Sequence, residues 1–203
     1  MLLVSQFGIR TCNPKSSICM IMTPPFEIAT VYNKSTKKYF QAPVKALRCP
    51  MQKTLALFNA YVLGEAPMGK VGTGQLDGFN VVKYRTSKAF EVKAKLLRKT
   101  DNVPSSNPSV IDSQSTDDFH LPPSAGEGLC KYYGVPWVSG IPLSVEAKDT
   151  DGDPSVILKS SKGQKIKVTA SDFLLPPGFT REKSLEEVHQ SSQTEDAMQL
   201  FGR

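Results

Sequence analysis

The sequence contains no apolar run that approaches the roughly 20 residues needed to span a membrane. The longest apolar stretches, 17–22 and 54–64, are too short or too polar. We therefore expect no membrane span. The apolar residues 1–9 carry no basic region before them and no A-x-A-like cleavage site after them, so no intact secretory signal is expected.

Cysteine is also scarce, with four residues at Cys12, Cys19, Cys49 and Cys130. Their spacings match no zinc-binding pattern, so we expect no bound metal. Cys12 and Cys19 could face each other across a hairpin. Disulfides and buried free thiols both remain open at this point, and so does the redox compartment.

The sequence lacks a recognisable catalytic motif. Its two histidines are His120 and His189, and the second lies in an acidic segment that is expected to be exposed. A pair of His120 with Cys130 would have no third group nearby to orient it. Neither G-x-S-x-G nor H-E-x-x-H occurs. We therefore expect a non-enzymatic protein without a cofactor, and a hydrolase only if His120 and Cys130 meet in a cleft.

Two short motif matches fail on inspection. Residues 64–70 fit G-x-x-x-x-G-K, but Val71 replaces the Ser or Thr that a P-loop needs for magnesium. Residues 149–153 resemble part of a calcium loop, but Pro154 and Ser160 stand where an EF-hand needs Gly and Glu. An acidic hairpin turn explains the second match.

The charge is unevenly distributed. Residues 1–100 carry sixteen Lys or Arg against four Asp or Glu, and residues 101–203 carry nine against fifteen. A basic surface could dock an anionic polymer or an acidic partner. We favour the simpler interpretation that the two halves fold against each other with their charges on solvated faces.

Strands dominate the predicted structure. Fifteen prolines and fourteen glycines are spread along the chain, which favours many short strands. Apolar and polar residues alternate between turn residues, as in half-buried strands. We predict strands at 8–12, 18–22, 26–32, 37–41, 70–76, 79–85, 89–99, 141–147, 156–159 and 165–170.

Helices and loops complete this prediction. Apolar residues at three- and four-residue steps predict one or two amphipathic helices over 43–61. Short helices are expected at 125–133, ended by Gly134, and at 180–190. The polar stretch 100–118 is expected to be a flexible surface loop. One domain over 1–190, with a tail at 191–203, is the predicted organisation.

Aromatic residues accompany the lysines of the basic half, a mixture that can bind single-stranded nucleic acid. A core face beside a solvated face explains the same pattern, and no RNP-type sequence is present. Nucleic-acid binding is therefore not expected.

Several segments resemble, in order, the LolA-like proteins that sort lipoproteins to the outer membrane. The strand and hairpin arm that read Val31-Tyr32-Asn33 and Lys34-Ser35-Thr36-Lys37-Lys38-Tyr39 are similar to the opening of that family. The other similar segments are 8–22, 25–30, 74–78, 82–84, 140–145, 172–173 and 176–179.

This resemblance implies an α+β, mainly antiparallel fold, in which a curved open half-barrel sheet packs on a few helices. It also implies an apolar concavity that receives acyl chains, and a periplasmic or cell-envelope location; without it, a cytoplasmic location is expected. We expect a monomeric binding protein that holds an apolar or lipid-like ligand between the inner face and the helix at 43–61. The inner-face residues would be Phe26, Ile28, Tyr32, Phe79, Phe90, Val92, Leu143 and Val145.

Overall fold

The structure is a computed structural model that describes residues 1–12, 17–48, 64, 66–100, 108–149, 154–160 and 163–189. Its helices are α1 (Lys88–Thr100), α2 (Pro123–Tyr133) and α3 (Leu185–His189), and short 3-10 helices lie at Val44–Ala46 and Ala170–Phe173. Its strands are β1 (Leu2–Ser5), β2 (Gly8–Cys12), β3 (Ile18–Met22), β4 (Ile28–Asn33), β5 (Lys38–Pro43), β6 (Met68–Leu76), β7 (Phe79–Thr86), β8 (Pro108–Thr116), β9 (Ile141–Asp149), β10 (Pro154–Lys159) and β11 (Thr180–Arg181). The fold is α+β and mostly antiparallel, as predicted.

The chain divides into two compact units. The first unit combines Met1–Pro50 with Lys167–Arg203, and the second unit is Met51–Ile166. The described strands form two sheets, in the orders β1-β2-β3-β4-β5-β11 and β10-β9-β8-β7-β6. The expectation of one continuous bent sheet is therefore wrong for these strands, whereas the single domain over 1–190 stays a prediction.

The sheet of the first unit is an antiparallel meander to which β11 adds a parallel strand beside β5. Strands β2 to β5 confirm the strands predicted over residues 8–41, and β1 is an additional strand. β3 is buried along its whole length. The short helix α3 packs on β4 and β5, where the Asn33 amide donates to the Val188 carbonyl oxygen at 3.0 Å.

The second unit is a five-stranded antiparallel sheet with α1 against β8 and α2 against β9. The helix α2 ends at Gly134, whose φ of 67° is the left-handed conformation that glycine adopts at low cost. Gly126 lets α2 approach the following loop, since an added Cβ would lie 2.1 Å from the Gly140 carbonyl oxygen. The core of this unit contains Ala66, Phe90, Ile111, Cys130, Val135, Val145 and Ala147.

The prediction of a strand at 89–99 is wrong, because these residues form α1. Phe90 and Ala94 are four residues apart and buried, whereas Val92 and Leu96 are 57% and 58% exposed. The sequence also contains a helix start that the strand interpretation overlooks. The Ser87 hydroxyl accepts the Phe90 backbone N–H at 3.3 Å, and such a cap stabilises the first turn of a helix.

The prediction of a flexible loop over 100–118 is wrong where residues are described, because β8 is the central strand of its sheet. Its buried face consists of Ser109, Ile111, Ser113 and Ser115. Hydroxyl groups tolerate burial when they find acceptors. The Ser115 hydroxyl donates to the Ser139 carbonyl oxygen, and the Ser109 hydroxyl donates to that of Lys148.

Other predicted elements change in extent. The expected strand at 165–170 is irregular chain that leads into a 3-10 helix, and Ile166 is 56% exposed. Of the helix expected at 180–190, residues 180–181 are β11 and the helix begins at Leu185. One or two helices were expected over 43–61. In the described part of this segment, Pro43 ends β5 and a 3-10 turn follows at Val44–Ala46. The residues from 49 to 61 lie outside the described part of the chain.

Candidate functional site

A groove of about 550 Å³ lies in the first unit, open to solvent, between β3–β5 and the segment 168–181, which we call the strap. Cross-strand pairing puts Ile21 of β3 opposite Thr30 of β4, and Thr30 opposite Gln41 of β5. The pair Ile28 and Pro43 continues the same face. The described lining is Ile21, Thr23, Ile28, Thr30, Gln41, Ala42, Pro43, Phe173, Leu174, Leu175 and Arg181.

The strap is held firmly at its first end. Its 3-10 helix begins with a capping box, in which the Asp172 carboxylate accepts the Thr169 backbone N–H at 2.7 Å and the Thr169 hydroxyl at 3.1 Å. These bonds, with the positive charge of Arg10, hold the pKa of Asp172 below its usual value. Arg10 also donates to the Asp172 carbonyl oxygen at 2.9 Å, which ties the strap to β2.

Phe173 anchors the strap in the face of the sheet. Its buried ring packs with Cys19, Ile21 and Tyr32. Gly8 makes room for it, since a Cβ on Gly8 would lie 2.7 Å from a ring carbon of Phe173 and 2.8 Å from the Met22 carbonyl oxygen. Any larger residue at Gly8 would therefore push the strap away from the sheet.

The second end of the strap is held by aromatic contacts and by backbone pairing. The ring of Phe179 meets that of Tyr32 edge-on at 5.4 Å, and the Lys37 ammonium lies 5.1 Å from its centre. Burial raises the pKa of Tyr32, so its hydroxyl stays neutral. Beyond Phe179, β11 pairs with β5. Leu174 and Leu175 thus span the groove between two fixed ends.

The groove exposes apolar side chains that a folded protein would otherwise bury. Ile28 is 48% exposed and Leu174 is 61% exposed, and both line it. Its described polar lining residues are Thr23, Thr30, Gln41 and Arg181. The Gln41 amide donates to the Thr30 hydroxyl at 3.0 Å, and Arg181 lies on β11. The groove thus combines apolar side chains with polar groups, and small-molecule sites use such polar groups to orient a ligand against an apolar wall.

Of the predicted inner-face residues, Ile28 lines this groove and Tyr32 lies buried beside it. Phe26 is buried in the first unit at a positive φ of 65°. The other five belong to the second unit: Phe79 contacts Phe119, Val92 is exposed, and the remaining three are buried, namely Phe90, Leu143 and Val145. The eight residues therefore do not share one sheet face.

The structure does not bring His120 and Cys130 together as a catalytic pair. Cys130 is a buried free thiol in the core of the second unit, and burial raises its pKa to about 12, so it carries no thiolate at neutral pH. His120 is exposed in the turn after β8. In the described part of the chain, no group of three or more His, Cys, Asp or Glu side chains is placed to hold a metal.

The remaining sequence motifs have ordinary positions. Gly69 and Lys70 of the P-loop-like match lie in β6, not at the start of a helix. Most of the acidic turn at 149–153 lies outside the described residues. Cys12 and Cys19 form a disulfide across the β2–β3 hairpin, whereas Cys49 lies outside the described residues. Among the helices that the structure describes, none is long and apolar enough to cross a bilayer.

Ion pairs connect the basic and acidic halves of the sequence. Arg85 holds Asp112 through two hydrogen bonds of 2.7 and 3.0 Å, and Lys38 lies 3.6 Å from Glu182. These pairs agree with the interpretation that the two halves fold against each other.

Comparison with protein-family models gives no match, and neither does comparison with curated proteins.

Proposed function

We propose that this chain is a non-enzymatic binding protein that holds an apolar or amphiphilic ligand, such as an acyl chain, in the groove beneath the strap. The groove itself is the observation that carries the proposal. Its volume of about 550 Å³ falls within the roughly 300–1,000 Å³ of small-molecule sites. Its wall exposes Ile28 and Leu174, and burying such side chains under a ligand contributes up to roughly 1.5–3 kcal/mol each.

Kinship with the LolA-like carriers is part of this proposal, and so is a half-barrel curvature of the sheet in the first unit. The mainly antiparallel α+β architecture supports it, as does the strap, which contains the Pro176–Phe179 segment of the resemblance. The ligand site proposed here differs from the one expected at first, because it involves β3–β5 and the strap instead of a helix over 43–61.

A location in the cell envelope belongs to the same proposal. The Cys12–Cys19 disulfide supports it, because disulfides persist mainly in oxidising compartments. We further propose that the protein works as a monomer.

The test is saturable binding of Nile red, an uncharged apolar dye, to the purified protein and to two matched variants. Leu174→Asp places a charge in the groove, and Val92→Asp makes the same kind of change at a similarly exposed position on α1. Both sites are exposed, so neither change should alter stability by more than about 0.5 kcal/mol. Thermal unfolding of each variant checks this assumption.

We expect Leu174→Asp to weaken dye binding at least tenfold, since a carboxylate in an apolar wall must be desolvated by the ligand. Val92→Asp should leave dye binding unchanged. The proposal fails if the dye does not bind saturably, or if both variants bind it as well as the unchanged protein does.

A further inference from the structure

The charge of the groove is carried by a single side chain among the described residues that line it. Arg181 lies there, and none of the described lining residues is acidic. The neighbouring Glu182 pairs with Lys38 at 3.6 Å instead. Arg181 therefore lines the groove without a carboxylate partner from the described part of the chain.

The position of Arg181 is fixed by its strand. In β11, Arg181 pairs in register with Tyr39 of β5, and the backbone N–H groups of Thr180 and Glu182 donate to the carbonyl oxygens of Lys37 and Tyr39 at 2.8 and 2.7 Å. Gln41 lies two residues further along β5 and lines the groove as well. Arg181 and Gln41 thus lie on neighbouring strands, at the edge of the groove that β11 forms.

Further hydrogen-bond donors line the same groove. The Thr30 hydroxyl accepts from the Gln41 amide, so its own proton remains available for an acceptor. Gln41 has a second amide N–H, and Arg181 offers the planar fork that binds two oxygens of one anion. Ile28 and Pro43 provide the apolar wall on the same face. Donors, a positive charge and apolar side chains thus line one groove.

We infer that the ligand of the groove is a single-chain amphiphile with an oxyanion head, a carboxylate or a phosphate, which Arg181 binds together with Gln41 and Thr30 while the chain lies along Ile28 and Leu174. This inference rests on the proposed function and specifies its ligand class. Arg181 acts here as a specificity-determining residue, and the apolar wall holds the chain irrespective of the head.

The test compares amphiphiles that share one twelve-carbon chain and differ only in the head. Each amphiphile competes with Nile red for the protein at concentrations below its critical micelle concentration. The four compounds are dodecanoate, dodecyl phosphate, dodecanol and dodecyltrimethylammonium. We expect both anions to displace the dye at lower concentration than dodecanol does, and the cation to be the weakest. Added salt should weaken the anions and leave dodecanol unaffected, because salt screens an exposed charge pair.

Arg181→Ala should weaken dodecanoate about three- to tenfold and leave dodecanol unchanged, which corresponds to the loss of one charge-assisted contact. Arg181→Lys keeps the positive charge but lacks the planar guanidinium that binds two oxygens at once. It should therefore lose part of the preference for dodecanoate over dodecanol. Lys34→Ala removes a positive charge from the exposed β4–β5 turn of the same unit. It should change neither the affinity for dodecanoate nor that for dodecanol. Thermal unfolding verifies that the variants are folded.

The inference is overturned if dodecanol binds as tightly as both anions, or if Arg181→Ala weakens dodecanol as much as it weakens the anions. In either case the groove would still bind apolar chains and the proposed function would stand. If no amphiphile displaces the dye and Leu174→Asp has no effect, the proposed function fails as well. If only dodecyl phosphate or only dodecanoate is favoured over the alcohol, the inference holds and the head group is identified.

Discussion

The Asp172 carboxylate stabilises the turn at the first end of the strap. It caps the 3-10 helix that carries Phe173, and it accepts both the backbone N–H and the hydroxyl of Thr169. These bonds favour the ionised form and lower its pKa. Protonation of Asp172 therefore weakens the hydrogen bonds that hold this turn of the strap.

We predict that Asp172→Asn lowers the free energy of unfolding at about pH 7, and that this difference shrinks as the pH falls below 3.8. A carboxylate whose pKa is lower in the folded state contributes stability above its ordinary pKa of 3.8, and this contribution is lost as pH falls through the folded-state value. Urea denaturation of both proteins across this range measures the difference. A difference that is equally large at both ends would contradict the role of the charge.

Residue-scale prediction from the sequence succeeded only in part. Ile28 follows from the alternation in β4, and the structure places it in the groove. Gln41 was missed because a polar residue in an alternating strand is normally assigned to the solvent face. Arg181 was missed because residues 180–190 are predicted to form an exposed helix, whereas residues 180–181 form β11. The Thr169-x-x-Asp172 capping pattern, followed by two prolines and a glycine, was the available sign of a fixed turn and return of the chain.

At the scale of elements, the hairpin of β2 and β3 is fastened by Cys12 and Cys19, which are directly opposite each other with their Cα atoms 4.1 Å apart. The alternation and the turn residues at 13–16 predict this hairpin from the sequence. They do not decide between a disulfide and two thiols, since both have the same hydrophobic pattern.

Removal of this disulfide by the double substitution Cys12→Ala and Cys19→Ala should lower the free energy of unfolding by roughly 2–3 kcal/mol, the chain-entropy value for a short closed loop. Urea denaturation with and without dithiothreitol measures it. The reductant should destabilise the unchanged protein by a similar amount and leave the double variant unaffected. A reductant effect of equal size on both would locate the responsible disulfide elsewhere.

Two elements show where periodicity misleads. In α1, the run Phe90, Val92, Ala94 and Leu96 has apolar residues at every second position, but Phe90 and Ala94 also fit a helical step of four. In β8, alternating serines replace the apolar residues of a usual central strand, so composition alone predicts a loop. Burial of hydroxyls with backbone acceptors is a tertiary effect that no local pattern reveals.

At the scale of the whole molecule, the chain forms two compact units with one sheet each. The number of antiparallel strands could be predicted approximately from the sequence. Their division between two sheets could not, because pairing partners such as β5 and β11 are far apart in the chain.

A matched pair of glycine substitutions tests whether the units unfold separately. Gly8→Ala forces a Cβ against Phe173 in the first unit, and Gly126→Ala forces one against the Gly140 carbonyl oxygen in the second. We expect each to cost roughly 1–3 kcal/mol, as overpacking does, and to raise amide hydrogen exchange mainly in its own unit. If both variants raise exchange uniformly along the chain, the protein unfolds as the single domain that the sequence predicts.

The first unit draws on both ends of the chain, and this has a consequence for synthesis on the ribosome. Strands β1 to β5 emerge more than a hundred residues before the strap. At roughly 5–20 residues per second, the nascent sheet waits for several seconds with the surface around Ile21 and Tyr32 uncovered. Until the strap emerges, that apolar surface is open to chaperones and to aggregation.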